Sequence, residues 1–253
     1  MVIIINLTGG HSGSKIMPNQ DATHEERLAR TQRETDFPLT LILINPINRR
    51  LVLPLSRTGI NPNTITWLSF LFNLTGAWAL YQGTTGDTAW QIYAPILIFL
   101  GHVLDALDGD LARYTGRLST YGEALDPILD RVSEAAFIFA IALGLFQAGG
   151  QTGLWCWALA AMGGDLIYYY TTDAQMNRVM GTRTEDGRRY LFTFGMKGKT
   201  RLKLGLYEPV KYILALGPLL GLALHALMII AVAYWLGLFF QLVKLYRITR
   251  KKI

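Results

Sequence analysis

The apolar residues of this chain are gathered into blocks of about 18–25 residues, the length an α-helix needs to cross a hydrocarbon core at 1.5 Å per residue. Six such blocks lie at 64–81, 91–111, 123–146, 154–171, 206–222 and 223–243. A backbone in lipid must satisfy its own hydrogen bonds, so these blocks predict an all-α membrane bundle of six transmembrane helices. The last two form a run too long for one crossing, and Pro218 supplies the break. Charged residues make up 17% of the chain, below the roughly 25% of soluble domains. A single cysteine, Cys156, excludes a disulfide framework and a cysteine-based zinc site.

Loop charges set the orientation. Connections 82–90 and 147–153 carry no Lys or Arg. Cations fall instead at Arg113 and Arg117, across 178–203, and across 244–252. By the positive-inside rule both termini and the basic loops face the cytoplasm, which places the chain in the cell (cytoplasmic) membrane. The net charge of +6 then reflects topology and attraction to anionic lipid, not a nucleic-acid partner. Residues 1–36 read as a polar extension and 58–253 as the six-helix domain. Between them, 37–57 mixes Arg49, Arg50 and Arg57 with apolar residues and predicts an interfacial amphipathic helix.

Four aspartates break the apolar pattern. A carboxylate at membrane depth costs about 2.5–3.5 kcal/mol on insertion scales, which marks it as a functional candidate. Asp105 and Asp108 are three apart and share a helix face, and Asp126 and Asp130, four apart, share another. Antiparallel pairing of their helices brings all four to one cavity at the cytoplasmic end. Converging anions repel unless a cation neutralises them. Oxygen-only ligands suit hard divalent ions such as Mg²⁺ or Mn²⁺, and two ions about 3.5–4 Å apart can clamp a phosphate during in-line displacement. Gly109 and Gly122 lie on the same faces and let a ligand approach the backbone. Ala112 continues the small surface, and Arg113 offers a fork for phosphate oxygens.

The order Asp105-x2-Asp108-Gly109-x2-Ala112-Arg113-x8-Gly122-x3-Asp126-x3-Asp130 resembles the signature of the CDP-alcohol phosphotransferase (CDP-alcohol phosphatidyltransferase) family at all eight fixed positions. Chance agreement is about 10⁻¹⁰ per start position for residues near one in twenty, so coincidence is excluded. The resemblance extends over about 47–244. It implies a six-helix membrane enzyme of phospholipid biosynthesis, working as a homodimer, with two divalent cations held by Asp105, Asp108, Asp126 and Asp130. Asp130 would also be the general base. Gly109, Ala112, Arg113, Ser119 and Gly122 would contact the CDP moiety, with Asn63 and Thr66 nearby. The donor would be CDP-diacylglycerol or a related CDP-linked lipid, or alternatively a soluble CDP-alcohol such as CDP-inositol. The acceptor would be a polar alcohol of the inositol phosphate, glycerol phosphate or serine type, with CMP released.

Several polar residues have plainer readings. Asp110 and Glu123 are expected to face solvent or a partner. His102 is read as a packing histidine, and Asp165, after Gly163-Gly164, as a carboxylate bonded across a close helix contact. Tyr168-Tyr169-Tyr170 suit an interfacial belt. The basic loop serves topology and lipid attraction, or else binds a phosphate on the acceptor. Arg131, Arg201, Lys203 and Lys211 are the candidates for that phosphate, with Glu208 an equally good partner for Lys211. Two other classes remain at this stage: a cation- or proton-coupled transporter, which does not require the Gly and Arg positions, and a catalytically silent scaffold, which does not require four aspartates.

Overall fold

The computed structural model describes residues 23–31, 35–36, 38–150, 152–175, 192–195 and 201–250. In chain order these form α1 (His24–Thr31), β1 (Thr35–Asp36), a π-helical turn (Thr40–Ile44) and α2 (Asn45–Thr58). The long helices α3 (Pro62–Thr84), α4 (Thr88–Thr115), α5 (Thr120–Gln147) and α6 (Leu154–Tyr169) follow, α6 running into a second π-turn (Tyr170–Gln175). Then come β2 (Phe192–Gly195), β3 (Arg201–Leu204), α7 (Tyr207–Leu216) and α8 (Ala223–Arg250). The body is helical, as the apolar blocks require. The exception is a small sheet in the order β1-β3-β2, with β1 parallel and β2 antiparallel to β3.

Local chemistry explains where the helices begin and end. The Asn61 side chain accepts from the Asn63 N–H with Pro62 in the first turn of α3, Asp87 accepts from Ala89 at the start of α4, and Ser119 accepts from Gly122 at the start of α5. Gly116, at φ 71°, stops α4 in the left-handed conformation.

Among the described residues two helices are long and apolar enough to cross a membrane, α4 and the Ala223–Arg247 part of α8. The lengths of α3 and α5 are similar, but each carries polar residues inward: Thr66, Ser69 and Asn73 on α3, and Asp126, Asp130, Arg131 and Glu134 on α5. The block expected as one span over 206–222 is helical only across the 10 residues of α7, roughly 15 Å, or half a hydrocarbon core. A turn around Pro218 that ends at Gly221, φ 68°, separates α7 from α8. Outward faces carry large apolar side chains such as Leu71, Trp78, Phe139, Leu236 and Phe239, the surface a lipid-facing bundle needs.

α3 packs along both α4 and α5, and α6 packs on α8. The closest approach is between α3 and α4. There Ser69 Oγ donates to the Gly101 carbonyl at 2.9 Å, and a Cβ on Gly101 would stand 2.5 Å from Asn73 Oδ1. Only a glycine permits that contact, and it sets the polar residues of α3 against the aspartates of α4. α2 lays Asn48 and Val52 inward while its Arg49 and Arg50, and Ile42 and Leu43 of the π-turn before it, stay exposed. The start of its helical segment is held by Glu208 of α7, which accepts from the Leu39 and Thr40 N–H groups at 3.1 and 2.9 Å and from the Thr40 hydroxyl.

Candidate active site

Three of the four motif aspartates line one narrow cleft between α3, α4 and α5. Its walls are Asp105, Asp126 and Asp130 together with Thr66, Ser69, Asn73 and Ser133. Asp108 stands beside it. It is buried, accepts a 2.6 Å hydrogen bond from Thr66 Oγ1, and lies close enough to Asp105 and Asp126 to be repelled by both. Asn73 Oδ1 and Ser133 Oγ face the same cleft and are buried with no hydrogen-bond partner among the described residues. The sequence reading missed Ser69, Asn73 and Ser133. The recurrence of Asn63, Thr66, Ser69 and Asn73 on one face of an apolar helix was the available signal.

A second group gathers at the mouth. Ser119 Oγ accepts from the Gly122 N–H at 2.9 Å and lies 3.4 Å from Asn63 Oδ1. A Cβ on Gly122 would meet Asn63 Oδ1 at 2.8 Å and Ser119 Oγ at 3.0 Å, so this small cradle exists because the residue has no side chain. Two of the expected CDP contacts, Ser119 and Gly122, are thereby brought together with Asn63, which was expected nearby. Gly109, Ala112 and Arg113 lie near the C-terminal end of α4, all partly exposed.

Some expectations are corrected. Asp110 does not face solvent: it is buried and pairs with Arg113 at 2.7 Å, as the three-residue spacing allows. Arg131 turns away from the cleft. Its Nη1 donates to Glu134 Oε2 at 2.7 Å and to Asp165 Oδ1, its guanidinium lies 4.9 Å from the Tyr169 ring, and the Tyr234 hydroxyl donates to the same Glu134 oxygen at 3.1 Å. Asp165 is thus bonded across helices as expected, and Gly164 lies where a Cβ would strike Tyr234 at 2.9 Å. The tyrosines do not form a belt. Tyr168 is buried against Tyr234, Tyr169 faces Arg131, and Tyr170 alone of the three is exposed.

His102 pairs with the Tyr212 hydroxyl at 2.8 Å and packs inside, as read. Glu123 is exposed. Lys211 is fully buried and points to Tyr207 and Asp130, while Glu208 turns to the start of the helical segment before α2. Arg201 and Lys203 belong to β3, and their side chains, like residues 176–191, lie outside the described residues.

No three His, Cys, Asp or Glu side chains among the described residues are drawn together tightly enough to define a metal position. The donor set nevertheless fits a hard divalent cation: carboxylates from α4 and α5 with hydroxyls from α3, and no nitrogen or sulfur ligand lining the cleft.

Comparison with known proteins matches the model of the CDP-alcohol phosphatidyltransferase family to residues 60–243, which spans α3 to most of α8 and every motif aspartate. The chain belongs to this family. It is therefore a transferase of the CDP-alcohol phosphotransferase type. It is 34% identical over 162 residues to an archaetidylinositol phosphate synthase of Pyrococcus horikoshii, covering 60% of this chain and 77% of that one. Likeness to a phosphatidylinositol phosphate synthase of Streptomyces avermitilis is 35% over 102 residues, 40% of this chain and 39% of the other. Choline/ethanolaminephosphotransferase 1 of Arabidopsis thaliana is 31% identical over 118 residues, 44% of this chain and 30% of that one. The chain thus spans less than half the length of these last two relatives.

Proposed function

We propose that this chain, as a six-span homodimer of the cell membrane with its active site at the cytoplasmic face, transfers a phosphatidyl-type group from a CDP-linked lipid to a polar alcohol. Inositol phosphate is the first acceptor to try, since the relatives include an archaetidylinositol phosphate synthase and a phosphatidylinositol phosphate synthase. Residues 1–36 would be an extension, 37–57 a helix lying on the membrane surface, and 58–253 the catalytic domain. One observation carries the reading: Asp105, Asp126 and Asp130 line one cleft beside Asp108, with the Asn63, Ser119 and Gly122 cradle at its mouth.

Asp105, Asp108, Asp126 and Asp130 would hold two divalent cations, which when bound neutralise the phosphates and the charge of the leaving group. The cradle and Arg113 receive the cytidine phosphate, with Gly109 and Ala112 keeping α4 low enough for close approach. Thr66 orients Asp108 through its hydroxyl. The acceptor oxygen attacks the phosphorus that bears the lipid alcohol, and its proton passes to a carboxylate oxygen of Asp130. The bond from that phosphorus to the oxygen bridging to the cytidine phosphate breaks, and CMP departs with the electron pair.

The test is CMP release from CDP-diacylglycerol by purified protein with Mg²⁺ or Mn²⁺, across inositol phosphate, glycerol phosphate and serine. Soluble CDP-alcohols serve as the alternative donors. Metal-dependent release stimulated by one acceptor, and lost in Asp130→Asn, is the expected result. Tight metal binding without CMP from any donor would sink the proposal and favour a transporter or silent scaffold.

A further inference from the structure

Asp130 is reached from a helix that the motif does not include. The Tyr207 hydroxyl of α7 lies 3.0 Å from each Asp130 oxygen, so it holds the plane of the carboxylate rather than one corner. One turn on, Lys211 Nζ stands 3.0 Å from the Tyr207 oxygen, 3.5 Å from Asp130 Oδ1 and 4.6 Å from the centre of the Tyr207 ring. An ammonium can only donate, so the chain runs from Lys211 to the phenol oxygen and from the phenol proton to the carboxylate.

We infer that Tyr207 and Lys211 are positioning residues for Asp130, a clamp that fixes which lone pairs the carboxylate presents to the cleft. The inference rests on the proposed transferase reading. An ionised carboxylate has about four lone-pair sites. Tyr207 and Lys211 take those on the α7 side and leave the cleft-facing ones to the reaction. The clamp also opposes electrostatic spreading, because the ammonium is within electrostatic reach of Asp105 as well as Asp130.

Lys211 is not placed to receive an acceptor phosphate. It has no exposed surface, and its contacts with Tyr207 and Asp130 hold it inside the bundle. The helix that carries the clamp is also held by the residue between its two members, Glu208, through Leu39 and Thr40. β3, paired with β1, runs into α7 a few residues earlier. Rotation of α7 is therefore constrained by contacts besides the clamp itself, which is what a positioning element needs.

The test uses the full chain in lipid nanodiscs and the variants Tyr207→Phe and Lys211→Met. Tyr207→Phe removes one hydroxyl, and a thermal melt checks that it folds. Its kcat for CMP release should fall about 10–100-fold, with the KM values for donor and acceptor within about threefold of the parent. Mn²⁺ affinity, read by electron paramagnetic resonance without substrate, should likewise stay within about threefold. Tyr207→Phe combined with Asp130→Asn should be no slower than Asp130→Asn alone.

A parent kcat in Tyr207→Phe would overturn the inference, as would a fully multiplicative double variant. So would a raised acceptor KM at unchanged kcat in Lys211→Met, which would make Lys211 a substrate contact. Should Lys211→Met not fold, Tyr207→Phe decides. Should the parent release no CMP at all, it is the transferase reading that fails, and infrared difference spectra judge the clamp separately. The carboxylate band lost in Asp130→Asn must shift in Tyr207→Phe, and an unmoved band refutes the contact.

Discussion

Asp130 and Arg131 are neighbours on α5, yet they open onto two different kinds of buried charge. On one side, acids from α4 and α5 converge on a cleft with hydroxyls and an amide around it, and the ammonium of Lys211 stands at the edge. On the other, Arg131 is inserted between Glu134 and Asp165 with the Tyr234 hydroxyl completing the set. The second cluster carries its own cation. It joins α5, α6 and α8, whereas the first gathers excess negative charge where a ligand can reach it. Buried carboxylates bridged by their own cation serve architecture, and carboxylates gathered beside a cleft serve binding.

That contrast predicts different failures on the two sides. Asp108→Asn should lower CMP release by about 10³-fold while the melting temperature holds, because the residue serves a ligand and not the fold. A large loss of stability instead would erase the distinction. Arg131→Met should do the reverse. It strands Glu134 and Asp165 without their cation, at a cost of about 3–5 kcal/mol, seen as a melting temperature lower by about 10 °C. Normal stability with a raised acceptor KM would return Arg131 to the phosphate-binding role first expected of it.

Smaller effects sharpen the comparison. Gly122→Ala places a methyl 2.8 Å from Asn63 Oδ1 and should raise the KM for the CDP-linked donor about tenfold with little change in kcat. Glu208→Gln should cost about 1–2 kcal/mol in a thermal melt, as the charge that receives the Leu39 and Thr40 donors is lost. An effect of Glu208→Gln on donor KM would place it with the cleft and not with the structural charges.

Much of the site was legible in the chain. Asp105 with Asp108, and Asp126 with Asp130, share faces because 3.6 residues make a turn, and no tertiary knowledge was needed for that. The Gly122 cradle was legible for the same reason, through a residue type that only a close approach requires. Asp110 was misread because its pairing with Arg113 three residues on competes with solvent, and the sequence does not say which side of α4 is covered. Tyr207 carried no local signal at all. It stands 77 positions from Asp130, and an aromatic residue at the start of an apolar helix is unremarkable by itself.

Helical character, the break at Pro218, the convergence of four carboxylates and the family's chemistry are thus properties of the sequence. They depend on periodicity, on backbone constraints and on charges too costly to bury without a purpose. The tertiary structure decided where Arg131, Glu208 and Lys211 spend their charges. Each had a plausible partner nearby in the chain; for Glu208 the contacts that prevailed came from elsewhere, and Lys211 joined its neighbour Tyr207 to the distant Asp130. The rotation at which helices pack determines which long side chains meet, and short-range spacing does not encode that rotation.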